Sequence, residues 1–209
     1  MSITSLTSLT AKEISALSTT ELQGLAATDF SQILATQIAA LTTTQVKSLE
    51  TEQVEAFTLD QVPSFSAAQL SAFSANQIAV FSTEEVEALS VKQLHGLSAS
   101  DLAELTTEQV AALTNTELAS LTSTQLAGLT SDQLAVLSET QLAALSRTQL
   151  AGLSTTAVAG LAVSQIQSLT TAQIKGLSAA AVSALDASQF AAILPTQVEA
   201  LTTTQIAGL

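Results

Sequence analysis

One eight-residue register runs through the whole sequence. Steps of eight from Leu41 land on Leu49, Phe57, Phe65, Phe73, Phe81, Leu89, Leu97 and Leu105, and the series continues to Leu209. Backwards it passes Ile33, Leu25, Leu17 and Leu9 and reaches Met1. Residues 2–209 thus read as 26 consecutive octads without a phase slip, which predicts a single octapeptide-repeat domain over 2–209. Counted from Ser2, position 1 is Ser or Thr in 20 octads, and Asp186 adds a further capping residue. Position 4 is Gln or Glu in 21, and position 5 is Leu, Ile, Val or Phe in all 26. Position 7 is Ala, Gly or Ser in 22 and holds all seven glycines, while position 8 is Leu, Ile or Phe throughout.

The consensus [ST]-x-x-[QE]-[LIV]-x-[AGS]-L is a helix-start signal. A hydroxyl followed three residues later by Gln or Glu is a capping box, and the apolar residues on either side of it form a hydrophobic staple. The octad Thr122-Ser123-Thr124-Gln125-Leu126-Ala127-Gly128-Leu129 shows all its parts. A start signal every eight residues argues against one long helix. So does geometry, since eight residues rotate the apolar stripe by about 80° at 3.6 residues per turn. The pattern predicts short helices of about six residues, each followed by a bend and a new cap. A β-solenoid is the alternative, supported by the short period and the Thr content. Against it, positions 5 and 8 would point to opposite faces of a strand, and Ala, Leu and Gln favour helix. Pro195 falls at the first helical position, where proline is welcome. Pro63 falls at position 6 and predicts a frayed or 3₁₀-like end.

Such helices cannot stand alone, because isolated helices under about 12 residues are marginal in water. Stability has to come from neighbours, as in a solenoid. The fold expected is all-α, a superhelical solenoid with positions 5 and 8 facing a continuous core. Small residues at position 7 are expected where backbones approach closely, rather than as left-handed caps. Four helices per turn would place facing helices about 12 Å apart, near the helix-packing distance. That suggests about four octads, or about 32 residues, per coil and a rod of about 60 Å. Phe57, Phe65, Phe73 and Phe81 read as core filler, since each replaces the consensus Leu. A longer echo matches Phe30, Ile33, Leu34, Thr36 and Gln37 to Phe190, Ile193, Leu194, Thr196 and Gln197.

Chemistry is sparse. With no Cys, the sequence offers no disulfide, thiolate ligand or thiol nucleophile. His95 is the only imidazole and sits at position 6 without a second ligand type. Glu84 and Glu85 are adjacent, but Glu85 is the capping-box residue. The hydroxyls are assigned to caps, and no nucleophile motif accompanies them. The reading is therefore non-enzymatic, with no catalytic, cofactor-binding or metal residues and no cofactor. Five basic residues against 18 acidic ones leave no phosphate-binding face, so no nucleic-acid partner is expected. Mean hydropathy is +0.43, yet Ser, Thr or Gln interrupts every apolar run, so no membrane insertion is expected. Residues 1–17 carry no basic segment before an unbroken apolar one, so no Sec signal is read. Few charges and many small polar residues suit an extracellular or cell-surface protein exported by another route, with the cytoplasm as the alternative.

No polar terminal caps are recognisable, so both ends are expected to expose apolar faces. Head-to-tail contact would bury them and give a filament. The functional expectation is a structural element, either a self-assembling fibre subunit or a rod-like segment of a surface or matrix protein, with the chain itself as partner. A protein-binding solenoid is the first alternative, although exposed positions 2, 3 and 6 are bland. Ice binding is the second, suggested by Thr42-Thr43-Thr44 and Thr202-Thr203-Thr204. The pattern resembles the L-T-T-x-Q-[IV]-x-A-L repeat tracts of large proteobacterial proteins, some of them secreted or surface proteins. The resemblance spans the chain, implies a repetitive structural role and transfers no site residues.

Overall fold

A computed structural model describes residues 6–209. Short helices follow one another at the octad period, from Ala11–Ala16 to Thr203–Ala207, and no strand occurs among the described residues. The β-solenoid alternative is thereby overturned. The cap of the first octad, Ser2 with Ser5, lies outside the described residues.

Each helix is four to six residues long because its cap starts it and the next cap stops it. In the octad 42–49 the Gln45 backbone N–H donates to the Thr42 hydroxyl at 3.2 Å, and the Thr42 N–H donates to Gln45 Oε1 at 2.7 Å. Together these satisfy two of the donors a helix start leaves open. The corner is made of extended backbone at positions 8 and 1. Leu17 has φ −61° and ψ 138°, and Ser18 has φ −70° and ψ 156°. No described residue has a positive φ, so the corners use no left-handed residue. Pro195 opens the helix Pro195–Val198, and Pro63 lies in the 3₁₀ segment Val62–Ser64, as the sequence predicts.

The chain divides into two compact units, Met1–Leu105 and Thr106–Leu209. Inside each unit a helix packs on the helix three octads away. In the first unit Ala99–Glu104 packs on Ala75–Ala79, and Val91–Leu94 on Ala67–Leu70. In the second, Thr155–Ala159 packs on Ala179–Ser183, which packs on Thr203–Ala207. Close approach at position 7 makes this possible. A Cβ at Gly96 would overlap the Ala67 carbonyl, and one at Gly176 would lie 2.6 Å from the Arg147 oxygen. Position 7 is thus a site of packing and not of positive φ.

Positions 5 and 8 form the core of both units, with Leu70, Ile78, Leu134 and Leu142 at most 1 % exposed. The phenylalanine run fills the core of the first unit. Phe57, Phe65, Phe73 and Phe81 meet edge to face with centroids 4.9 to 5.8 Å apart, and Phe30 joins Phe57 at 5.7 Å. That geometry suits ring quadrupoles better than face-to-face stacking.

Candidate functional site

The side chain at position 4 ties the octads together. Gln45 Oε1 accepts from its own cap, while Gln45 Nε2 donates to the Ile14 carbonyl at 2.7 Å and to the Leu17 carbonyl at 2.9 Å. One carboxamide thus closes a helix start and clamps positions 5 and 8 of the octad four before it. The same arrangement recurs in the second unit. Gln173 Nε2 reaches the Leu142 and Leu145 carbonyls at 2.7 and 2.9 Å, and Gln205 reaches Ile174 and Leu177 at 2.8 Å each. A buried amide whose oxygen and both N–H groups are engaged leaves nothing unsatisfied. No buried side-chain nitrogen or oxygen among the described residues lacks a partner.

These bonds span 28 and 31 residues, and the helix contacts span three octads. Both spacings are shorter than the 32 residues expected for a four-sided coil, although the bonds still reach the octad four before. Sequence reasoning saw the capping role of Gln but missed its role as a clamp. A signal was present in the residue type, because Glu serves a capping box equally well but cannot donate when ionised.

The first and last octads depart from this pattern. Position 4 of the first four octads is Ser5, Glu13, Glu21 and Asp29, with no Gln, and nowhere else do two consecutive octads lack one. The Glu13 and Glu21 carboxylates accept the N–H and hydroxyl of Thr10 and of Ser18. For Glu13 the Thr10 backbone bond and then its hydroxyl hold the carboxyl below its ordinary range; for Glu21 the Ser18 hydroxyl leads and its backbone follows. Glu85 makes the same kind of cap with Ser82 inside the first unit, yet burial outweighs those bonds and pushes it up. The difference is the cover of neighbouring octads.

The last octads are open on the other side. Position 5 is at most 2 % exposed at every described octad through Val182. It then rises to 40 % at Phe190, 45 % at Val198 and 54 % at Ile206, with Leu209 at 59 %. A recess of about 310 Å³ opens among Val182, Leu185, Asp186, Phe190 and Leu209. Phe190, Val198 and Ile206 form an apolar face on the last three octads.

None of the other residues singled out in the sequence lines this recess. His95 is exposed at the end of Val91–Leu94. Glu85 serves its cap, and Glu84 borders a second recess of about 490 Å³ with Leu59, Asp60, Pro63 and Glu87. Among the described residues no cluster of His, Cys, Asp and Glu could hold a metal ion, and no helix is long and apolar enough to cross a membrane. Capping, octad packing and the glutamine clamp define an all-helical repeat protein. Residues 30–67 and 83–115 match the family model of the ALTTAQ repeat, which supports a repeat tract there. No curated protein matches the chain.

Proposed function

We propose that this chain is a non-enzymatic structural repeat element, a self-assembling fibre subunit or a rod-like segment of a surface or matrix protein, built by head-to-tail stacking of its octads. In this reading each unit coils as a superhelix with between three and four octads per turn, consistent with bonds 28 and 31 residues apart. The chain is its own partner, and association extends the stack by repeating the contacts the octads already make. An extracellular or surface setting reached by a non-Sec route goes with this role.

The observation that carries the reading is the glutamine clamp, which repeats the same pair of bonds in both units, from Gln45 to the Ile14 and Leu17 carbonyls and from Gln173 to the Leu142 and Leu145 carbonyls. A contact that does not close on itself gives a filament. Sedimentation and electron microscopy across concentration, at pH values from 4 to 8, test it. The expected result is end-on multimers of the chain, abolished by Phe190→Glu with Val198→Glu. A monomer at every concentration and pH, or multimers indifferent to that pair of changes, would overturn it.

A further inference from the structure

We propose that the second unit carries a built-in yielding seam along the octads 154–161 and 178–185, which part from the octads four before them while the rest of the unit stays folded. In these two octads Ala157 and Ala181 stand at position 4, in place of the clamping glutamine. The flanking octads fix what each alanine faces. Gln149 donates to the Leu118 and Leu121 carbonyls and Gln165 to those of Leu134 and Leu137, so the register sets Ala157 against Leu126 and Leu129. Gln173 on Leu142 and Leu145, and Gln189 on Leu161, set Ala181 against Leu150 and Leu153.

A methyl group makes no clamp. Both alanines are buried, so the seam is shut in the folded protein. Among the described residues nothing donates to the carbonyls of the buried Leu129 and Leu153, and the Ser154 and Ser178 backbone N–H groups lose the Oε1 that closes the other caps. A buried carbonyl without a donor weakens the closed state, because opening lets water satisfy it.

The two gaps lie together. Thr155–Ala159 packs on Ala179–Ser183, and Ser123–Leu126 packs on Arg147–Ala151. The first pair of helices meets the second with neither clamp between them. Through residues 154–185 only Gln165 and Gln173 tie back to earlier octads, whereas in residues 186–209 Gln189, Gln197 and Gln205 all do. Local capping runs the other way. The Ser154 and Ser178 hydroxyls accept the N–H of Ala157 and Ala181, while Ala162, at the start of the clamped octad 162–169, has no side-chain acceptor. A seam set by capping would fall at 162–169, and one set by the clamp falls at 154–161 and 178–185. In an array held by neighbour contacts, opening begins where those contacts are fewest.

Amide hydrogen exchange of the full chain, followed by NMR and expressed as protection relative to the unfolded chain, tests the seam. Val158 and Val182 are compared with Ile166 and Ile174. All four N–H groups donate at 2.9 to 3.1 Å to the carbonyl four residues before, so opening and not bond length separates them. Val158 and Val182 are expected to exchange at least about tenfold faster than Ile166 and Ile174. Fraying from residue 209 would give the opposite order for Val158 and Ile166. Gln165→Ala should speed Ile166 to the rate of Val158, and Ala157→Gln should slow Val158 to the rate of Ile166. Val158 as protected as Ile166 in the wild-type chain overturns the seam, and so does an Ile166 rate unmoved by Gln165→Ala. A folded Ala157→Gln chain in which Val158 stays fast overturns the missing clamp as the cause. If that variant does not fold, the wild-type pair and Gln165→Ala decide.

Discussion

Residues 26–41 and 186–201 share 8 of 16 residues and lie in different surroundings. Both contain Phe at position 5, Ile at position 8, then Leu in the capping slot, Thr, and Gln at position 4. The local structures of their second octads agree. Leu34 and Leu194 each precede a four-residue helix and each donate an N–H to the following Gln Oε1 at 2.8 Å. Their burial does not agree, since Phe30 is fully buried while Phe190 is 40 % exposed. Local sequence therefore sets the helix and its cap, and the octads further along the chain set whether its apolar side is sealed. Within each unit position 4 is turned to earlier octads, as Gln37 is to Leu6 and Leu9 and Gln205 to Ile174 and Leu177.

The sharpest way to break this comparison is to truncate both rings. Phe30→Ala is expected to cost about 3–5 kcal/mol, the cost of removing a fully buried ring that also meets Phe57 edge to face. Phe190→Ala should cost only about 1–2 kcal/mol, because much of its ring already meets water. Urea denaturation followed by circular dichroism measures both. Equal losses would mean that the face of residues 186–201 is not open in solution.

The glutamines of the two segments should behave alike. Gln37 Nε2 reaches the Leu6 and Leu9 carbonyls at 2.9 and 2.6 Å, and Gln197 reaches Ile166 and Leu169 at 3.1 and 2.6 Å. Gln37→Glu and Gln197→Glu should each cost about 3 kcal/mol at neutral pH, from lost donors and a buried charge. The sign with pH is fixed. A buried carboxyl has a raised pKa, so the penalty is present above that pKa and fades as pH falls through it. Asp29→Gln, where the carboxylate bonds only the Ala26 N–H of its own cap, should change stability little. Losses as large at Asp29 as at Gln37 would show that the clamp is not what position 4 supplies.

Much of this was legible in the sequence. The capping box, the staple, the core positions 5 and 8, the 3₁₀ turn at Pro63 and the close packing at Gly96 all depend on residues within one octad or on size alone. The clamp was not legible, because its partners lie 28 and 31 residues away and neither spacing is a multiple of the repeat. The absence of Gln from Ser5, Glu13, Glu21 and Asp29 carries the information, but only once position 4 is known to face earlier octads.

Glu85 joins the two halves of the comparison, being an acid like those of the first octads but covered like an interior glutamine. Burial raises its carboxyl against the lowering effect of the Ser82 bonds, so the folded protein binds its proton more tightly than the unfolded chain does. Stability should therefore fall as pH rises through the shifted value. Glu85→Gln removes that dependence and supplies a donor for the Val54 and Phe57 carbonyls, with an expected gain of about 1 kcal/mol at pH 7. Melting curves at pH 4 and 7 check it, and a gain of the same size at both would place the effect outside ionisation.

The smallest effect concerns the capping slot itself, where the two segments share a defect. Leu34 and Leu194 offer no side-chain acceptor, and the backbone N–H groups of Gln37 and Gln197 turn instead to the Leu34 and Leu194 carbonyls at 2.9 Å. Leu34 is 56 % exposed and Leu194 43 %, so little packing is lost on replacement. Leu34→Thr or Leu194→Thr restores the acceptor that Thr42 and Thr202 supply in the neighbouring octads. Each should gain about 0.5–1 kcal/mol. Because the cap is made within the octad, the gain should be the same in both segments although their rings differ in burial. Hydrogen exchange at the Gln37 and Gln197 amides measures it site by site. A gain at Leu34 with a loss at Leu194 would show that the Leu194 side chain contributes packing that its exposure of 43 % conceals.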